Sequence, residues 1–399
     1  MFRPSQEILK KYADVLVKFA LWWWKWIKKW EVVYLQIPES AKPLLFELQK
    51  SILEAWGHYI TSFIPEWWQR IFFENASIEQ ISFWPEWYYL ELVKTCSHFL
   101  SVISTDDKFE LKWIEPSKII WRQKWAKFYM DARTAKENEW KLTWTIWMYA
   151  TEAMAASAWL SLEEYWWQII TACFLDEVDP IAKWTQVFEE MEWIKDRLNA
   201  MNIDKVHMVW EDCDVEVKIW ENRKWLWGSG RNIPSFEVFT SPDWRWTNWW
   251  IRFNQPLYRF WNLIDGIELE YKDWICINSK AKNWEALLKE MIATENADKI
   301  WEFSLTDRRF SKITKFMWET LYDENVGWEN GNTHIAIWKS FHDAFSWDIW
   351  AQTKEDWERM GFNDSPIHVD IMSTANRKVT ATLFDWREIV IYEDGEFKI

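Results

Sequence analysis

The last third of the chain concentrates side chains of the kinds that bind metal ions. His368 and Asp370 are two residues apart in the alternating segment 367–372, so a strand there places both side chains on one face. Neighbouring imidazole and carboxylate groups on a rigid strand suit a divalent cation. A polar strand face exposed to solvent has the same pattern, so this segment alone leaves both interpretations open.

Four other residues of these types stand in unusual surroundings. Glu237 lies inside the run 232–240, Glu302 heads an apolar run, and Glu324 is followed by a loop rich in Gly and Asn that ends at His334. Taken singly, each also fits an ordinary surface residue. Taken together, carboxylates and imidazoles suit hard or borderline cations. We expect ordinary core or surface roles for the remaining histidines, His58, His98, His207 and His342.

Six segments occur in the order seen in the thermophilic metalloaminopeptidases, the family of aminopeptidase T and aminopeptidase S, which the chain resembles. They are residues 232–242, 256–258, 302–305, 321–325, 332–336 and 367–372. The resemblance implies a metal-dependent aminopeptidase that hydrolyses N-terminal residues from short peptides with two divalent metal ions, which are zinc, cobalt, manganese or magnesium. It implies the metal ligands Glu237, Glu302, Glu324, His334, His368 and Asp370. Either Glu302 or Glu324 would accept the proton of the attacking water.

The chain departs from the family pattern at two places. The loop 325–333 is longer than expected, and Phe341 stands seven residues after the matched histidine, where the family usually has Tyr. The missing hydroxyl could otherwise stabilise a tetrahedral oxyanion. A catalytically silent homologue that binds metal and peptides is therefore the alternative. A phosphoesterase is less favoured, because no basic cluster is present to bind phosphate. The resemblance further implies a homodimer.

The amino-acid composition excludes several kinds of partner and site. The 399 residues carry a formal charge of −15, which argues against nucleic acid as a partner, since that needs a basic footprint. Four scattered cysteines form no CxxC pair, which excludes a disulfide scaffold and a thiolate zinc site. No window of about 18 apolar residues lacks a charge, so we expect no membrane partner and a cytoplasmic protein.

The elements that position these residues fall into two predicted domains. Residues 1–200 predict an α/β domain with a mostly parallel sheet, and residues 201–399 predict an α+β domain dominated by antiparallel strands that holds the metal site. In the first domain we predict strands at 32–37, 58–63, 97–103 and 127–130 and helices at 7–21, 40–55, within 142–175 and at 180–201. In the second we predict strands at 205–209, 215–219, 237–240, 251–253, 267–271, 275–278, 367–372, 378–383 and 388–392 and a helix at 284–294.

Tryptophan and glycine are present in abnormal numbers. The chain has 40 Trp and 8 Gly, whereas a usual glycine share of about 7% would give about 28. Several Trp follow Asp or Asn where a hairpin turn would have Gly, as in the normal turn Asp394-Gly395. These pairs are Asn248-Trp249, Asp273-Trp274, Asn283-Trp284 and Asp385-Trp386, and the run 21–26 is similar. We hypothesise that many of these residues are glycine in the natural protein, because UGA encodes glycine in some bacterial lineages and tryptophan in other codes.

Overall fold

The chain divides into two compact units. The computed structural model describes residues 2–22, 27–219, 222–259, 262–337, 340–363, 365 and 369–399. The first unit comprises residues 1–185 and 229–234, and the second comprises residues 186–228 and 235–399. Within the described residues, no helix combines the length and the apolar character that crossing a bilayer requires.

The first unit contains a four-stranded parallel sheet, which confirms the predicted α/β class. Its strands follow the order β2-β1-β3-β4. They are β1 (Val32–Pro38), β2 (His58–Ile64), β3 (His98–Ile103) and β4 (Thr143–Met148). The helices are α1 (Gln6–Asp14), α2 (Lys42–Glu54), α3 (Trp68–Asn75), α4 (Ile78–Ser82), α5 (Glu86–Thr95), α6 (Pro116–Trp125), α7 (Lys127–Asn138), α8 (Glu152–Ser157) and α9 (Leu162–Ala172). The central strands β1 and β3 are largely buried between the flanking helices, as is usual in a parallel sheet, whereas the edge strand β2 is partly exposed.

Two predictions for this unit are wrong. Residues 127–130 form the first turn of α7 rather than a strand, because the helix-forming sequence after them continues the same element. The fourth strand is β4, at the start of the region predicted to be helical. Its aromatic and β-branched residues favour an extended chain, and its register against β3 runs from His98 with Thr143 to Ile103 with Met148.

The second unit is mainly antiparallel, which confirms the predicted α+β class. An eight-stranded sheet has the order β13-β12-β9-β6-β5-β17-β18-β19, and a five-stranded sheet has the order β16-β15-β14-β8-β7. The strands are β5 (Ile203–Trp210), β6 (Cys213–Lys218), β7 (Leu226–Trp227), β8 (Glu237–Thr240), β9 (Asp243–Arg252), β10 (Leu257–Arg259), β11 (Asn262–Ile264), β12 (Glu268–Lys272), β13 (Ile275–Lys280), β14 (Ile300–Thr306), β15 (Asn332–Ile337), β16 (Val369–Ser373), β17 (Lys378–Leu383), β18 (Glu388–Glu393) and β19 (Glu396–Phe397). Helix α10 (Pro180–Ala200) begins in the first unit, and α11 (Glu285–Ile292), α12 (Thr320–Asp323) and α13 (Lys354–Arg359) follow.

Most of the five-stranded sheet is buried, including its edge strand β16. Every residue of β14, β15 and β16 is buried. Strands β14 and β15 were not predicted, because a strand covered on both faces lacks the alternation of polar and apolar residues that marks a half-exposed one.

One predicted turn is also wrong. Asn248-Trp249 lies inside β9, which includes the predicted short strand at 251–253 up to Arg252. The ring of Trp249 stacks on Tyr271 of the neighbouring strand at 3.9 Å between centroids. This position therefore needs an extended backbone and does not need glycine.

Many tryptophans nevertheless occupy the left-handed region of backbone space. Of the fifteen non-glycine residues with positive φ in the described chain, nine are Trp, although Trp accounts for only 40 of 399 residues. They are Trp30, Trp56, Trp67, Trp140, Trp159, Trp274, Trp284, Trp318 and Trp386. A bulky side chain is strained there, and glycine is not. The positive φ predicted for Trp274, Trp284 and Trp386 is confirmed, whereas residues 23–26 lie outside the described part of the chain.

Three of these tryptophans end helices in a motif that normally uses glycine. After α2, α7 and α8, the residues Trp56, Trp140 and Trp159 have φ of 62°, 59° and 56°. In each case the next N–H donates to the carbonyl five residues earlier, at 3.0, 3.1 and 3.0 Å. This is the Schellman arrangement, in which the left-handed residue is usually Gly. Gly361 occupies the same place after α13, with φ of 76°.

Candidate metal centre

The five-stranded sheet brings four of the predicted ligands to one face. In its register, Glu302 of β14 pairs with Ala336, which in turn pairs with Asp370 of β16. Since side chains alternate along a strand, His334 shares the face of Ala336. Glu237 of β8 pairs with Thr306, which shares the face of Glu302. The carboxylates and the imidazole therefore converge although they are far apart in sequence.

Three of these side chains are in mutual contact. His334 Nε2 lies 3.2 Å from Glu237 Oε2 and 3.5 Å from Glu302 Oε1. One potential ligand atom from each residue falls within 4.8 Å of the others, and all three residues are buried. Ser304 Oγ donates to Glu237 Oε2 at 3.1 Å, which fixes that carboxylate on the sheet.

Glu324 reaches the same region from the end of a short helix. It follows α12 directly, and its N–H donates to the Thr320 carbonyl at 3.0 Å. Thr306 Oγ1 of β14 donates to the Glu324 carbonyl oxygen at 3.1 Å, which ties the helix end to the sheet. The neighbouring Asn325 is held by the Phe236 N–H, which donates to its Oδ1 at 2.5 Å. Backbone contacts thus hold Glu324 beside the strands.

The buried carboxylates repel one another. Burial raises the pKa of Glu237 to about 8; nearby His334 opposes this shift, and the charges of Glu302 and Asp370 add to it. Burial also raises the pKa of Glu324 well above its ordinary value, reinforced first by Glu237 and then by Asp370 and Glu302. Each of these carboxylates therefore lies within electrostatic reach of the others.

The donor set fits divalent cations. Buried carboxylate oxygens and an imidazole nitrogen are the ligands that zinc, cobalt, manganese and magnesium share to different degrees. Burying such charges without a compensating cation is costly. The His334 Nδ1 is buried and has no hydrogen-bond partner among the described residues, so Nε2 is the ring atom that faces the carboxylates.

The six predicted ligands have different outcomes. Glu237, Glu302 and His334 form the contact cluster, Asp370 shares their face of the sheet, and Glu324 is coupled to them electrostatically. His368 lies outside the described residues, as does residue 367 of the predicted strand.

Sequence reasoning missed the side chains that hold the candidate ligands in place. Ser304 could have been found, because it lies two residues after Glu302 and so shares its strand face. Thr306 and Asn325 act through backbone groups of distant segments, and no spacing in the sequence indicates those contacts. His98 is a buried core residue as expected, bonded to Thr143 Oγ1 at 2.7 Å.

Comparison with known proteins gives consistent results. The family model described as "Thermophilic metalloprotease (M29)" matches residues 5–397. Aminopeptidase 2 of Geobacillus stearothermophilus is 26% identical over 98% of both chains, and Aminopeptidase T of Thermus thermophilus is 27% identical over 68% of this chain and 69% of its own. The solved structure of wild-type AmpT from Thermus thermophilus superposes with a TM-score of 0.84 at 20% identity, covering 99% of this chain and 100% of that one, which shows the same fold.

Proposed function

The chain belongs to the thermophilic metalloprotease (M29) family, and from this premise we propose that it is a metal-dependent aminopeptidase that removes N-terminal residues from short peptides with two divalent cations. The observation that carries the proposal is the buried contact cluster of Glu237, Glu302 and His334. The similar proteins named as aminopeptidases support the same reaction.

The charge of the site supports two cations rather than one. Glu237, Glu302, Glu324 and Asp370 are all buried, and once bound cations displace the protons that their raised pKa values favour, these carboxylates carry four negative charges. Two divalent ions would balance that charge. We propose that these four residues hold the ions together with His334 and His368. Zinc, cobalt, manganese and magnesium all remain candidates, because the mixed ligand set suits each of them.

Divalent ions bound here would polarise the scissile carbonyl and lower the pKa of water. The chain supplies the proton transfer. Glu302 or Glu324 takes a proton from water as the water oxygen forms a bond to the carbonyl carbon, and returns it to the leaving amine as the C–N bond breaks. Ser304 keeps Glu237 in place throughout, and Thr306 holds the segment that carries Glu324.

Recognition of a free N-terminus follows from the same charges. A protonated or metal-bound α-amino group is favoured beside buried carboxylates, whereas a blocked amide nitrogen is not. Phe341 supplies no hydroxyl to the oxyanion, so the stabilisation of that charge falls to the cations and to other donors. The proposal includes a homodimer, as the family resemblance implies. Light scattering would measure its molar mass in solution.

The test is the release of leucine from leucyl peptides by metal-stripped protein and by protein reloaded with zinc, cobalt, manganese or magnesium. We expect turnover only after reloading, about two ions per chain, and no turnover of the same peptides with an acetylated N-terminus. Bound metal without turnover would contradict the proposed enzymatic activity and support a catalytically silent homologue that binds metal and peptides. Equal cleavage of the acetylated peptides would contradict an aminopeptidase.

A further inference from the structure

An apolar side chain flanks the carboxylate cluster on the same face of the sheet. Phe239 lies two residues after Glu237 on β8, so the two side chains point to the same side. The register confirms this placement, because Phe239 pairs directly with Ser304, which donates to Glu237. The ring of Phe239 is itself buried.

Phe341 extends this apolar surface towards solvent. Its ring centroid lies 5.2 Å from that of Phe239 and 4.8 Å from that of Trp301. Its N–H donates to Ser241 Oγ at 2.9 Å, which anchors the backbone beside the end of β8. Phe341 is 38% exposed, whereas Phe239 and Trp301 are buried. Of these three rings, Phe341 therefore presents the accessible surface.

The next residue along the chain does not share this surface. The ring of His342 stacks on Trp357 with 4.0 Å between centroids and an interplanar angle of 5°. That stacking directs the imidazole towards the cluster of Trp357, Phe345 and Phe362. The exposed part of Phe341 is thus apolar, and the ring of His342 lies in a separate aromatic cluster.

We propose that Phe341, supported from behind by Phe239, is a specificity-determining residue that contacts the first side chain of the substrate and favours large apolar residues there. The assignment rests on the proposed function, because an aminopeptidase places the N-terminal residue of its substrate against the metal ligands. Substrate binding to an apolar surface becomes more favourable with each methylene group that the contact removes from water. Leucyl and phenylalanyl peptides are therefore the preferred class, and peptides that begin with Glu or Lys are poor substrates.

The test compares kcat/KM for metal-reloaded protein on peptides that differ only in their first residue: Leu, Phe, Ala, Glu or Lys. Phe341→Ala is expected to lower kcat/KM about 10-fold for Leu and Phe and much less for Ala, as loss of a hydrophobic contact does. Phe341→Leu should retain most of the preference. The matched control is Phe384→Ala, which removes a similarly exposed ring (44%) after β17 and should behave as the parent.

The outcomes separate this assignment from the proposed function. Metal-dependent turnover with an equal loss on all five peptides in Phe341→Ala, or a parent preference for Glu or Lys, would overturn the assignment alone. Absence of turnover on every peptide by folded, metal-loaded parent would overturn the proposed function and the assignment with it. Circular dichroism and metal content, which we expect to be unchanged in all three variants, show that the effect is on substrate recognition.

Discussion

Replacing Trp56, Trp140 and Trp159 together by glycine is expected to stabilise the first unit. Each residue follows a helix in the Schellman arrangement with positive φ, and most of each side chain lies in solvent, since the three residues are 70%, 55% and 75% exposed. The perturbation therefore removes backbone strain and deletes little buried surface. The helices that they end, α2, α7 and α8, stay otherwise unchanged.

The expected gain follows from two opposing effects. An L-residue in the left-handed region costs about 1–2 kcal/mol. Glycine loses more conformational freedom than other residues on folding, which reduces this stabilisation by roughly 0.5–1 kcal/mol. The net gain is about 0–1.5 kcal/mol per position, with a midpoint of about 0.75 kcal/mol. Because the positions lie on three separate helices, gains at this midpoint should add to about 2 kcal/mol in the free energy of unfolding.

Urea unfolding followed by far-ultraviolet circular dichroism measures this change without relying on tryptophan fluorescence. The control is Trp193→Gly, which replaces a 55% exposed Trp in the middle of α10, where the backbone is helical. There glycine should lower stability by roughly 0.5 kcal/mol. A triple variant no more stable than the parent, or one that loses stability as Trp193→Gly does, would refute the strain argument.

The same positions test the glycine hypothesis at the level of the gene. If the natural protein has glycine where these tryptophans stand, the codons are UGA and mass spectrometry of protein from its source finds glycine in the corresponding peptides. UGG codons at Trp56, Trp140 and Trp159 would refute the hypothesis. The predicted stabilisation would still hold, because it depends only on the backbone geometry.

Other predictions concern the site and the acid stability of the protein. Glu302→Gln and Glu324→Gln identify the proton acceptor. The variant that lacks it should keep its metal, as measured by mass spectrometry, while kcat falls about 100-fold or more. Loss of metal in both variants would show that neither residue acts only as the base. Asp370→Ala should lose metal and turnover, whereas His98→Ala, in the first unit, should keep both; a normal metal content in the Asp370 variant would remove that residue from the site. The hydrogen bond from His98 lowers the pKa of Glu31, so its stabilisation is complete above the ordinary carboxyl pKa and is lost as pH falls through the lowered value. Glu31→Gln should therefore flatten the fall of the urea midpoint between pH 7 and pH 3, and an unchanged slope would contradict this.

Local sequence patterns predicted some strands closely and missed others. Strand β8, which is fully buried, and strand β17 both have the predicted bounds, because turn residues or alternation mark them. Strands β14 and β15, which carry Glu302 and His334, were not predicted as strands, since burial on both faces removes the alternation. The strand predicted at 127–130 failed for a related reason, because four apolar and basic residues fit either a strand or the first turn of α7.

The ligand set was predicted from resemblance, but its convergence required the structure. Glu237 and His334 are nearly a hundred residues apart, and only the strand register shows that they share a face. The contact of Thr306 Oγ1 with the Glu324 carbonyl, which brings α12 to the sheet, depends on tertiary packing that no spacing reports. Asn325, likewise, acts by accepting the Phe236 N–H.

The strained backbone and the proposed metal ligand Glu324 meet at one turn. Asp323, which precedes Glu324, accepts the N–H groups of Met317 at 2.6 Å and Glu319 at 2.8 Å, and between them Trp318 has φ of 56°. The carboxylate of Asp323 thus fixes a left-handed turn that glycine adopts without strain. Trp318→Gly should therefore leave the metal content unchanged and raise stability, whereas Asp323→Ala should lower the metal content by releasing the helix that positions Glu324. A normal metal content in Asp323→Ala would show that the contacts of Thr306 and Asn325 hold Glu324 without this turn.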